Sequence, residues 1–420
     1  MKFVKHGLRG LLLYALVGMS MSASSAQAPI VQGDQATLLQ NNASFAFKLY
    51  QQIDAEDRFE NFVYSPYSLS TALAMTYIGA RGNTAIQMAD TMVYTLEGDA
   101  LHATMQSTVN EIALRAQDGN GGATLRLANR LFGDVNYPFN GGFISKIQSF
   151  YGADLQKTDF AADAEGARTA INDWVAEQTD QRILDLVPQG AIDALTRLVL
   201  TNAVYFAGVW KDEFPAEDTQ DEAFTLADGS QVSVPMMRNK KIYAYSAGAG
   251  YQAAVLPYGG SGLGMLLILP DEGNFDALES AITGDTYVEM LNGLRFETVE
   301  VVLPRWQFET TLGMKDLLQS MGMVEAFDPL TANFDGMKGT PMADSLSISD
   351  VFHKAFISVD EKGAEAAAAS AVVVEIRSAG VKPNEKEFIS LRFDRPFLFA
   401  IVDTLTGAPI FVGRVMNPQG

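Results

Sequence analysis

The chain of 420 residues has no cysteine and only three histidines, His6, His102 and His353. The first absence removes disulfide staples, thiolate nucleophiles and cysteine-based zinc clusters together. The second leaves no histidine-rich metal site, and no carboxylate array stands in for one, so no metal and no cofactor are expected. Basic residues are scarce as well. Thirty Lys and Arg against fifty Asp and Glu give a formal net charge of −20, which repels nucleic-acid phosphates and anionic lipid alike. Neither nucleic acid nor membrane is therefore an expected partner. There is no internal repeat, coiled coil or low-complexity linker to divide the chain. Nucleophile motifs are missing too. Gly259-Gly-Ser-Gly262 is followed by Leu263 where a nucleophile elbow needs glycine, so the stretch reads as a hairpin turn, and no Ser-x-x-Lys motif occurs.

What is present is globular. Hydrophobic residues make up 48% and charged residues 19%, and the length is ample for a large core. At the start, Lys2, Lys5 and Arg9 precede the apolar run Leu11–Met21 and the small-residue zone Ser24–Ala28. This is the pattern of a secretory signal, cut after Ala26 or Ala28. The apolar run is well short of the roughly 20 residues of a spanning helix. Loss of the three cations takes the net charge from −20 to −23. Residues 27–420 then remain as the mature chain, exported to the periplasm or the extracellular space, and their length alone suggests two or three domains.

Helical spacing runs over Gln40–Asp54, after Ser65-Pro66, where the serine can cap, and over Asp163–Thr179. Strands are expected at Leu125–Phe132 and at Arg197–Phe206, whose near-continuous apolar run suits burial on both faces. Tyr251–Tyr258 and Gly264–Leu269 read as a hairpin. Val299–Pro304, Ile357–Asp360, Leu398–Asp403 and Ile410–Val415 complete the set. Helices early and strands late predict an α+β fold with mixed and antiparallel sheets.

The most informative segment is residues 361–378. On propensity alone, Ala364–Ala371 is a helix. Read with a period of two, one parity carries Ala364, Ala366, Ala368, Ser370, Val372, Val374 and Ile376, while the other carries Glu365, Glu375 and Arg377. Alternate residues of a strand face opposite sides, so the segment can join a sheet with one face buried. Glu361, Gly363, Ala364, Glu365, Ala366, Ala367, Ala368, Ala369 and Ser370 resemble the reactive-loop hinge of the inhibitory serpins. Further pieces of that resemblance follow in order from Asn61–Ser68 through Asn172-x-Trp174-Val175, Arg197–Phe206, Leu303-Pro-Arg305, Ala332–Gly336, His353–Phe356 and Arg395–Phe399 to Phe411–Pro418. They span roughly residues 40–418, nearly the whole mature chain, and so imply that residues 27–420 form a single domain.

The resemblance implies a serpin fold with an exposed reactive loop over about 361–390, and a function that is not enzymatic. A target serine protease attacks the loop and forms an acyl ester, and the cleaved loop inserts into the central sheet and traps the complex. Ser65, Ser68, Asn202 and His353 match the polar cluster behind that sheet, against the competing reading of a Ser–His catalytic pair. Trp210 and Arg305 match positions at the top of the sheet, with Arg305 facing Glu361. In inhibitory serpins the bait lies sixteen residues after the hinge glutamate, which arrives at Arg377 and makes Arg377–Ser378 the scissile bond. An arginine there points to trypsin-like proteases, trapped covalently by a monomer. A bait shifted to Ile376 would instead suit an elastase-, subtilisin- or cysteine-type protease. A non-inhibitory carrier, chaperone or storage serpin is the other alternative. The 19 residues from Arg377 to Pro396 exceed what the family usually has there. Arg115 is the only basic residue in 99–116, so activation by sulfated polysaccharide is not expected.

Overall fold

The computed structural model describes residues 33–56, 59–117, 123–260, 262–341, 344–364 and 388–420. Residues 1–32 and 365–387 lie outside them, and so do the signal, Glu365–Ser370, Arg377 and Ser378. Two sheets organise the described residues. The six-stranded sheet runs in the order Trp306–Gly313, Val351–Val359, Gly363–Ala364, Leu198–Val209, Ala123–Asp134 and Leu155–Thr158. Leu198–Val209 is buried along almost its whole length, as its apolar run requires.

The second sheet has nine strands. Its spine runs from Phe62–Tyr64 through Pro409–Val415, Phe397–Asp403 and the hairpin Leu263–Pro270 with Tyr251–Pro257, to Gln231–Gly248, Arg295–Pro304 and Ile389–Arg392. Gln220–Thr225 pairs beside Gln231–Gly248. One apolar core lies between the sheets, with Phe206, Trp210, Trp306, Phe397 and Phe399 in it. A second is formed under the helices of the N-terminal half, and a third lies beneath helix Ala164–Gln178.

Helix Pro66–Tyr77 starts where the sequence predicts. Ser65 is its N-cap, accepting the Ser68 N–H at 3.1 Å, and Pro66 fills the first turn. This helix is buried between the sheets and touches both Leu198–Val209 and Pro409–Val415. The motif residues of helix Ala164–Gln178 are structural. Asn172 exchanges two hydrogen bonds with the Val187 backbone, at 2.8 and 3.0 Å, while Trp174 lies edge-on to Phe132 and under the Arg130 guanidinium.

Within the six-stranded sheet the two middle strands diverge. Val351–Ala355 pairs in parallel with Leu200–Val204. Beyond Ala355, no ladder pair among the described residues joins Phe356–Ser358 to Tyr205–Ala207. At the top, the two-residue strand Gly363–Ala364 sits between them. It is antiparallel to both, with Ala364 opposite Val359 on one side and Gly208 on the other. The chain thus leaves this sheet at Ala364 and re-enters the other at Ile389.

Candidate functional site

The hinge begins with a turn. The Asp360 carboxylate accepts the N–H groups of Lys362 at 2.8 Å and Gly363 at 3.2 Å, and the Asp360 N–H donates to the Gly363 carbonyl at 2.9 Å. Asp at the first and Gly at the fourth position favour such a turn, so this contact was available in the sequence. Glycine is also needed for closeness. A Cβ on Gly363 would lie 1.8 Å from the Gly208 carbonyl oxygen.

Trp210 holds the turn from the neighbouring strand. Its backbone N–H donates to the Lys362 carbonyl at 2.7 Å, and its indole N–H donates to the Asp360 carbonyl at 2.9 Å. The ring is buried and stacks on Tyr258, with centroids 4.7 Å apart and planes 7° from parallel. Phe214 N–H binds the Glu361 carbonyl at 2.9 Å. Every one of these bonds reaches the hinge backbone, so they fix its position whatever its side chains are.

Arg305 and Glu361 do meet. Arg305 Nε donates to Glu361 Oε1 at 2.9 Å, its Nη2 contacts the same oxygen, and Thr219 Oγ1 adds a third hydrogen bond at 2.6 Å. Glu361 is only 8% exposed, although Arg305 keeps 45% of its side chain in solvent. Burial alone would push the Glu361 carboxyl up. The hydrogen bonds from Arg305 and Thr219 outweigh it and hold the group below the ordinary glutamate range.

Ser65, Ser68, Asn202 and His353 also come together, all fully buried. His353 Nε2 accepts the Ser65 N–H at 3.0 Å, so Nδ1 carries the proton and donates to Asn202 Oδ1 at 2.5 Å. Asn202 Nδ2 then donates to Ser68 Oγ at 2.7 Å and Asn129 Oδ1 at 2.6 Å. Ser65 Oγ donates to the Ile410 carbonyl at 2.6 Å. Burial lowers the His353 pKa to about 3, so the ring stays neutral. Among the described residues no serine hydroxyl is hydrogen-bonded to this imidazole, so they form no nucleophile–base pair at the cluster. Asn129 was not foreseen. A lone Asn in an otherwise strand-like stretch carries no signal, and only the ladder, which sets it opposite Asn202, reveals it.

Two middle strands joined below and parted above, with a hinge seated in the parting, make a sheet that can take one more strand. A family model described as Serpin (serine protease inhibitor) matches residues 40–418. The chain belongs to the serpin family. Among relatives, it is similar to Serpin B6 of Pongo abelii, 38% identical over 388 residues that cover 91% of this chain and 99% of that protein. The native-state crystal structure of Tengpin, a thermophilic serpin, superposes with a TM-score of 0.80 at 28% identity, covering 94% of this serpin and 97% of Tengpin. Human thyroxine-binding globulin in complex with its hormone also matches, with a TM-score of 0.80 at 25% identity and coverage of 92% and 100%. Among the described residues of this serpin no helix is long and apolar enough to cross a membrane, and no group of three or more His, Cys, Asp or Glu could hold a metal.

Proposed function

We propose that this serpin is a single-use inhibitor of trypsin-like serine proteases. The observation that carries the reading is the hinge itself, paired on both sides at Ala364. Continued in the same register, Ala366 would meet Phe206 and Ile357, and Ala368 would meet Val204 and Ala355. Ser370, the one polar residue on that parity, would then arrive between Asn202 and His353. Polar meets polar and alanine meets apolar, as a strand entering a sheet with one buried face requires.

The mechanism follows from bond bookkeeping. The protease serine oxygen attacks the Arg377 carbonyl carbon, the Arg377–Ser378 amide breaks, and the new amine leaves with a proton. The acyl ester now tethers the protease to a freed loop. Entry of about 14 residues at ~3.3 Å each carries that ester roughly 46 Å. A displacement of about 1 Å at the oxyanion site is enough to slow deacylation by orders of magnitude. Before entry, the His353–Asn202 hydrogen bond has to break, so the buried cluster sets the barrier. Arg377 suits a primary pocket with a buried carboxylate through a bidentate pair. On this reading residues 27–420 act as one exported monomeric domain after signal cleavage.

Mature protein mixed with a small excess of trypsin is expected to give a band at the summed mass that survives boiling in SDS. Sequencing the released peptide is expected to place the cut after Arg377. Clean cleavage with trypsin fully active would overturn inhibition of this target class. Trapping that persists in Arg377→Ala would move the bait elsewhere.

A further inference from the structure

Just beyond strand Leu198–Val209, the amides of Trp210 and Phe214 reach the carbonyls of Lys362 and Glu361. Extended, four residues would set those two amides ~13 Å apart. They serve adjacent hinge residues instead, and the chain between them bends at Lys211 and Asp212. One side chain holds that bend. Asn239 lies on strand Gln231–Gly248 opposite Val301, and it is buried, 5% exposed. Its Nδ2 donates to the Asp212 carbonyl at 3.0 Å and to the Glu213 carbonyl at 2.9 Å. Both hydrogens of the carboxamide are thereby used. The Lys211 N–H, bound to the Pro257 carbonyl at 2.9 Å, fixes the start of the bend.

An aliphatic residue at this position would leave two carbonyls facing a wall without donors, and the bend would relax toward water to recover them. Phe214 is buried and lies edge-on to Trp210, with centroids 6.2 Å apart. It would move with the bend, and its N–H would lose the Glu361 carbonyl. Asn239 touches no atom of the hinge, yet the hinge contact at Phe214 depends on it.

We propose that Asn239 is a positioning residue: by bracing residues 212–214 it keeps the hinge seated at the top of the six-stranded sheet, and the seated hinge gives the cleaved loop a head start into the gap. A strand already paired at Gly363 and Ala364 has ordered its first residues before cleavage. A loose hinge must still lose that conformational freedom while the acyl ester is open to water. The head start rests on the trapping described above; the bracing does not.

The test uses the mature full-length chain carrying Asn239→Ala, or Asn239→Leu if the first does not fold, beside Asn239→Gln, which keeps both donors. Hydrogen exchange read by mass spectrometry is expected to quicken at least tenfold over residues 210–216 in the variant without donors. Over residues 198–204, lower on the same strand, it is expected to change less than threefold. In Asn239→Gln both stretches are expected to stay within threefold of the parent. Unchanged exchange at 210–216 overturns the bracing. So does equal acceleration at 198–204, which would mark a general loss of packing. With trypsin, the number of inhibitor molecules cleaved for each protease trapped is expected to rise at least threefold without the donors, at an unchanged summed rate of cleavage and trapping, and Asn239→Gln is expected to restore it. An unchanged ratio overturns the head start. A parent protein that traps no trypsin overturns inhibition and the head start together, while hydrogen exchange still decides the bracing.

Discussion

Two buried imidazoles tie this protein's stability to pH. His353 is neutral in the fold, with a pKa of about 3, and the unfolded chain returns it to about 6.5. Between those values the unfolded state binds more protons, so stability falls as pH drops below 6.5. His102, buried with its Nδ1 on the Tyr151 hydroxyl and lowered to about 4 by that burial, has the same sign. Each is expected to cost about 2 kcal/mol by pH 5. Urea unfolding at pH 7 and pH 5 checks this, with His353→Gln halving the difference. An unchanged difference in that variant would mean other groups carry it. Arg305 offers a second test at the same scale. Arg305→Ala leaves the buried Glu361 with Thr219 alone and is expected to cost about 1 kcal/mol, given the exposure of the arginine. Faster exchange of the Trp210 and Phe214 amides, both bound to the hinge backbone, would accompany the loss. Unchanged protection would show that the backbone bonds hold the hinge without the ion pair.

Among the elements, the two-residue strand Gly363–Ala364 carries the most consequence. Ala364 is 1% exposed within the core between the sheets. Ala364→Arg would place a guanidinium there with no partner, which expels the hinge and blocks further entry. The expected outcome is a protein that trypsin cleaves without being captured, read on the same denaturing gel. Capture at the unaltered rate would refute entry through this gap. How much of this was legible in the sequence differs by element. Leu198–Val209 was predicted because a run of apolar residues has only one good place to go. The parity of Ala364 was predicted because one face had to be free of charge, and its burial agrees. Gln231–Gly248 was not foreseen, since its 18 residues mix buried and exposed positions without clean alternation and carry Pro235. The expected strand Ile357–Asp360 is the upper part of a longer one, Val351–Val359, and the polar His353-Lys354 pair hid the rest. The cluster at His353 owed its legibility to family resemblance. The distances that make Asn129 its fifth member come from strand pairing across three neighbours, which no local pattern records.

At the scale of the whole molecule, the proposed inhibition requires a fold that is not at its lowest free energy. Two middle strands that part above Ala355 forgo backbone hydrogen bonds that one more strand would supply. Cleavage after Arg377 is therefore expected to raise the melting temperature by more than about 10 °C, as scanning calorimetry of intact and nicked protein would read. An unchanged melting temperature would mean that the cut loop stays out. The same parting has a consequence beyond one molecule. A gap shaped to receive a strand of alternating alanines does not distinguish its own chain from a neighbour's. If the sheet opens as proposed, warming or crowding would let the loop of one copy enter the sheet of the next, whose own loop would be left to repeat the step. Such a contact would be head-to-tail and would not close on itself, so linear polymers are the expected product. The spring that would disable a protease is also the link of a chain.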